Sequence, residues 1–161
     1  MDVNSIFEEL TGIEVNYTTY ATNEELYAKM KGGGADYDII IPSEYMVSRM
    51  IKEDMLAEID INQIPNFEYI MDTFKSPVYD KDNQFSVPYM WGTVGIIYNK
   101  DLVDEENFGW DILWNEKYAK QSTAKNSVHD TYVAGAMHVY KDELLALKEQ
   151  YEASAKTQAD K

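Results

Sequence analysis

Apolar residues recur in two alternating rhythms over the first fifty-odd positions. Val3, Ile6, Phe7 and Leu10 stand at helical spacing, so residues 1–10 predict an amphipathic helix, and Thr11-Gly12 ends it in the manner of a glycine cap. Ile13-Glu14-Val15-Asn16-Tyr17 switches to period two, the pattern of a strand. Thr22 or Asn23 opens a second helix with Leu26, Met30 and Tyr27 inward, and Gly32-Gly33-Gly34 closes it. Tyr37-Asp38-Ile39-Ile40-Ile41 reads as a short buried strand, its three consecutive isoleucines the continuous apolar run expected of a parallel strand covered on both faces. Pro42, lacking an N–H, stops that strand. Ser43 caps a third helix with Glu44 in its first turn and Val47, Met50 and Ile51 as its apolar stripe. The alternation α-β-α-β-α predicts an α/β fold, a mainly parallel sheet flanked by helices.

A parallel strand that turns directly into a helix places the turn at the carboxyl edge of the sheet, where ligands sit in open α/β folds. Ser43, Glu44 and Tyr45 are therefore candidate site residues. The alternative is that Ser43 only caps and Tyr45 only packs.

The rest of the chain is less regular. Asp54–Asn66 reads as a connection turned by Pro65-Asn66, Phe67–Phe74 as one or two helical turns, and Asp80-Lys81-Asp82-Asn83 as a polar loop. Phe85–Asn99 reads as two strands joined through a segment broken by Pro88, Gly92 and Gly95, where Tyr89 and Trp91 either line a cleft or fill core. Asp101–Asn107 is acidic and loop-like, Trp110–Trp114 an aromatic packing turn, and Gln121–Asn126 polar without a strand signal. Asn126 or Ser127 caps a helix through Tyr140 with Val128, Tyr132, Val133 and Met137 as its apolar face. Helix-forming sequence then continues to about Tyr151 and dissolves into a frayed tail.

Composition narrows the function classes. The chain has 161 residues, 45% hydrophobic and 27% charged, as in an ordinary globular domain. It contains no apolar run long enough for a membrane span and no basic-then-apolar start, so it is expected to be cytosolic or to begin after a removed leader. With no cysteine there is neither a disulfide nor a thiolate metal site. A net charge of −15 opposes nucleic acid and draws cations, although acidic faces are also often merely solvated. The glycine run precedes a strand instead of opening a helix, so no phosphate or dinucleotide loop is present and no cofactor is expected. His129 and His138 lack a ligand cluster. No serine lies in a nucleophile elbow, and no carboxylate pair stands out by spacing, so an enzyme is not expected.

Taken in order, FEELTGIEVNY, NEELYAKMKGGGADYDIIIPSEYMVSRMIKEDMLAEID, FSVPYMWGTVGIIYNK and WDILWNEKYA resemble the first lobe of the spermidine/putrescine-binding proteins, the solute-binding components of bacterial polyamine ABC importers. The resemblance spans roughly residues 5–120. It implies one lobe of a type II periplasmic-binding-protein-like fold over 1–120, followed by a helical segment over 121–161, in a protein that closes on its ligand by hinge motion. By the same resemblance Ser43 and Tyr45 line a polyamine site, with Glu44 beside them. Asp130 matches an acidic ligand position, Ser127 stands where several relatives carry Asp, and Trp91 belongs to a cleft-side motif.

The implied partners are spermidine or putrescine and the permease subunits of an ABC transporter. The implied place is outside the cytoplasm, with a lipid anchor on the parent protein. The chain departs from the family pattern at both ends and in the middle. The opening strand and aromatic turn are missing, QSTAKN replaces a strand at 121–126, and the second lobe's residues are absent, so the resemblance implies a truncated lobe. Other readings are a lobe for another small solute, or a homo-oligomer paired through an open sheet edge.

Overall fold

Helix-capping residues decide where the regular structure begins and ends. The computed structural model describes residues 2–103 and 109–159, with side chains as far as Ala153; the acidic loop expected at Asp101–Asn107 lies outside the described residues from Asp104 onward. The chain forms two compact units, Met1–Trp91 and Gly92–Lys161.

In the first unit, α1 (Val3–Thr11) is capped by the Asp2 carboxylate and ends at Gly12, whose φ of 72° is the left-handed conformation glycine adopts without a Cβ penalty. Helix α2 (Asn23–Lys31) starts at Thr22, whose hydroxyl accepts the Glu25 N–H at 3.1 Å. The Glu25 carboxylate reaches back to the Ala21 N–H at 3.0 Å, a variant of the capping box. Helix α3 (Glu44–Lys52) packs on α2. Leu26, Met46 and Met50 are fully buried between them, with Val47 close behind. Tyr20, Tyr27, Met30, Tyr37, Ile40, Tyr45, Met55 and Leu56 pack around this centre. Met46 faces the core although the predicted stripe ran through Val47, Met50 and Ile51.

One carboxylate fastens the far ends of these two helices. Glu53 pairs with Lys31 at 2.6 Å and with Arg49 at 3.0 Å, and accepts the Tyr27 hydroxyl at 2.7 Å, while the Arg49 guanidinium lies 3.9 Å over the Tyr27 ring. The Lys31 ammonium first, then Tyr27 and Arg49, hold the Glu53 carboxyl down at about 2.

The rest of this unit is built from short 3₁₀ turns, at Ile61–Gln63, Pro65–Tyr69, Asp72–Phe74 and Lys81–Asn83. The polar loop Asp80–Asn83 is buried at both ends: Asp80 and Asn83 are 3% and 2% exposed. Their polar atoms are satisfied locally. Asp80 accepts from the Gln84 and Phe85 N–H groups and the Ser86 hydroxyl, and Asn83 bonds the Ser76 N–H and Ser86 carbonyl. Asp82 and Asn83 reach this closure at φ of 62° and 52°, which Asp and Asn tolerate better than most residues.

The second unit contains a 3₁₀ turn at Trp110–Trp114, another at Glu116–Tyr118, and two helices, α4 (Val128–Val139) and α5 (Lys141–Ala159). Ser127 caps α4, as expected. The backbone of α5 stays helical beyond Tyr151, where a frayed tail was expected; its Ala, Lys and Gln content favours helix, and no Gly or Pro interrupts it.

The described residues contain no strand. The segments expected as strands, 13–17, 37–41 and the two ends of 85–99, run without a ladder. A strand has no hydrogen bonds of its own and exists only when another backbone pairs with it. Alternation in sequence prepares a segment for pairing but does not provide the neighbour. The outcome is apolar exposure: Ile39 is 83% and Ile97 100% exposed. The predicted apolar faces of α1 and α4 are also largely open, at Val3, Leu10, Val128, Tyr132 and Met137.

Candidate ligand site

The turn at residues 41–45 is shaped by a side chain from the preceding helix. Since Thr22 caps α2, the Asn23 carboxamide is available to reach across. Its Nδ2 donates to the Ser43 Oγ and the Tyr45 hydroxyl, both at 3.0 Å, and its Oδ1 accepts the Ser43 N–H at 3.2 Å. Ser43 occupies the N-cap position of α3, but its hydroxyl makes no capping bond; it is engaged by Asn23 instead, a correction to the simple capping role. Tyr45 donates its hydroxyl proton to Glu24 at 2.9 Å. Tyr20 reaches the same turn, donating to the Ile41 carbonyl.

The N-termini of α2 and α3 therefore meet at one polar cluster. Helix N-termini are electropositive and by themselves favour anions. Here Glu24 and Glu25 in the first turn of α2 and Glu44 in that of α3 offset this field with three carboxylates. The cluster offers hydroxyl and carboxylate oxygens, the acceptors an ammonium group requires. Trp91 is 69% exposed, with its ring 5.7 Å from Phe74, and Tyr89 is 74% exposed, so neither fills the core.

Ser127 and Asp130 belong to the other unit. The Ser127 hydroxyl accepts the Asp130 N–H at 3.2 Å, and the Asp130 carboxylate holds the Lys125 ammonium at 2.6 Å. That ammonium keeps the Asp130 carboxyl below the usual carboxylate range. Beside it lies a cleft of about 590 Å³ whose walls include Val94, Trp110, Trp114, Val133 and Met137, within the ~300–1,000 Å³ typical of small-molecule sites. At its edge the His138 ring stacks on Trp114, with centroids 3.9 Å apart and planes within 2°. Asp111 lies 3.4 Å from the His138 Nδ1 and 3.2 Å from the Lys141 Nζ. Lys141 foremost, then His138, lower the Asp111 carboxyl. Among the described residues no group of three His, Cys, Asp or Glu could hold a metal ion.

Sequence reasoning had no means to select Asn23, Glu24 or Lys125. Asn23 and Glu24 read as ordinary helix-start residues, and Lys125 as one cation in a polar run. The only local hint was that two adjacent capping residues, Thr22 and Asn23, left one of them spare.

The starts of α2 and α3 thus share a cluster of side-chain acceptors, a chemistry suited to holding a ligand. Residues 36–161 match the family model of bacterial extracellular solute-binding proteins, and the chain belongs to that family, which is not one of enzymes. More particularly, it is 40% identical over 115 residues to the spermidine/putrescine-binding periplasmic protein of Salmonella typhimurium, covering 70% of this chain and 33% of that protein. It is 32% identical over 139 residues to spermidine/putrescine-binding periplasmic protein 1 of Haemophilus influenzae, covering 84% and 39%. The crystal structure of the spermidine/putrescine ABC transporter substrate-binding protein of Streptococcus pneumoniae superposes with a TM-score of 0.61 at 47% identity, over 71% of this chain and 36% of that one. The chain thus spans about a third of the length of these relatives.

Proposed function

We propose that this chain is the substrate-binding part of a bacterial polyamine ABC importer, working outside the cytoplasm and taking spermidine or putrescine. The observation that carries this reading is the Asn23–Ser43–Tyr45–Glu24 cluster, which presents hydroxyl and carboxylate oxygens at the turn that opens α3. Ser43, Tyr45 and Glu44 are the acceptors of the first unit; Asp130 and Ser127, in the second, are by themselves acceptors of the same chemistry. Trp91 offers an exposed aromatic face, suited to a methylene chain and to cation–π attraction. The negative charge of the whole chain adds long-range attraction for a polycation. A transporter permease is the partner this role requires.

Nuclear magnetic resonance titration of the chain with putrescine and spermidine tests the reading. The Asn23, Ser43 and Tyr45 amides are expected to shift, with half-saturation no tighter than the micromolar range, because the described acceptors surround an amine only in part. Tyr45→Phe is expected to weaken the response several-fold. No response at this cluster to either amine removes the polyamine reading, and submicromolar binding removes the argument for a partial site.

The parallel sheet of an α/β lobe belongs to the same proposal: the segments around Ile39–Ile41 and Ile97 are sequences prepared for strand pairing. Their exposure favours a second reading, in which copies of the chain pair through these segments. Light scattering that finds only monomer across a wide concentration range counts against it.

A further inference from the structure

Asp130 is already holding an amine, and that amine comes from the chain itself. The Lys125 Nζ lies 2.6 Å from the Asp130 Oδ2. The lysine's backbone is held beside that carboxylate. Its carbonyl accepts the Ser127 N–H at 2.8 Å and the Thr131 hydroxyl at 3.2 Å, tying residue 125 to the first turn of α4. The Asp130 backbone is tied to the same turn through Ser127. A lysine side chain is four methylenes ending in a primary ammonium, the same group as the aminobutyl arm of putrescine and spermidine. The carboxylate is thus matched to that ligand chemistry and occupied by an internal copy of it.

We propose that Lys125 is a built-in competitor for Asp130, which an incoming alkylammonium must displace and which thereby sets the affinity of this carboxylate for amines. The inference rests on the polyamine reading above. Displacement is easy, because the Lys125 side chain is 69% exposed against 23% for Asp130, so the lysine swings into water while the carboxylate keeps its position. The incoming ligand's methylene arm finds apolar company in the walls of the neighbouring cleft at Trp110 and Trp114, which Lys125 does not line. Lys125 lies within QSTAKN, the polar run standing where the resemblance places a strand.

The test compares the full chain with Lys125→Met and Lys125→Gln, following the Asp130 side-chain carboxyl carbon by nuclear magnetic resonance during putrescine titration. Lys148→Met, with the same charge change on α5, serves as the control for net charge. Release of one exposed ion pair is expected to lower the half-saturating putrescine concentration at Asp130 about two- to fivefold in both Lys125 variants and to leave the control unchanged. Equal half-saturation in parent and variants overturns the proposal, as does an Asp130 signal that responds to putrescine in none of them. The Ser43 and Tyr45 amides report the polyamine reading separately. If they shift while Asp130 does not, that reading stands and the competitor falls; if neither responds, both fall.

Discussion

Asn23 shows how one carboxamide organises a polar cluster that two helices share. A carboxamide is the only side chain here that donates to two hydroxyl oxygens and accepts a backbone N–H in the same orientation. Each such bond contributes roughly 1 kcal/mol net, less where water competes. In Asn23→Ala the Ser43 hydroxyl is free to rotate and cap α3, which offsets part of the loss. We therefore expect destabilisation of about 1–2 kcal/mol in urea unfolding, accompanied by shifted Ser43 and Tyr45 resonances. An unchanged midpoint with unchanged resonances shows that the bridge is not formed in solution. Nothing in the local sequence at Asn23 announces this role, because its partners are twenty and twenty-two positions away.

Between elements, the contact of α2 with α3 combines a small apolar centre with the Glu53 clamp at its far end. Most of this was legible in the chain: Leu26 with Met30 on α2, and Val47 with Met50 on α3, stand at helical spacing, and Thr22 and Gly32 mark the ends of α2. The inward turn of Met46 was not, because it depends on the angle at which α2 crosses α3. The clamp makes a pH prediction. The Glu53 carboxyl lies at about 2 in the folded chain against an ordinary 4.5, so its contribution to stability is complete above about 4.5 and is lost as pH falls towards 2. Glu53→Gln is expected to melt at lower temperature than the parent at pH 7, and the two are expected to converge as pH drops through that window. Melting curves that differ by the same amount at pH 7 and near pH 2 sink the clamp as a source of stability.

At the scale of the molecule two tendencies oppose each other. Exposed β-branched segments, with Ile39 at 83% and Ile97 at 100%, favour association. A net charge of −15 repels like copies, and salt screens that repulsion within ~8–10 Å at physiological ionic strength. If copies pair through these segments, sedimentation or light scattering is expected to show a larger associated fraction as sodium chloride rises from low to physiological concentration. A monomer unaffected by salt and concentration excludes pairing through these edges. The same screening is expected to weaken long-range attraction for polyamines, so binding measurements need one fixed ionic strength.

The amino-acid sequence by itself determined the helices, their caps, the hydroxyl residues at the 43–45 turn and the family resemblance, because all of these depend on residues within a few positions of each other or on order along the chain. It also determined the acidity that suits a cationic solute. Tertiary structure alone decided that Asn23 and Glu24 join Ser43 and Tyr45, that Asp80 and Asn83 are buried, and that Lys125 sits on Asp130. It also decided that the apolar runs at 37–41 and 94–97 remain unpaired, against their pattern. Helices satisfy their backbone within one segment, so local sequence suffices to predict them. A strand is satisfied only by another backbone, and a site only by side chains brought from elsewhere, so both wait on which segments come together.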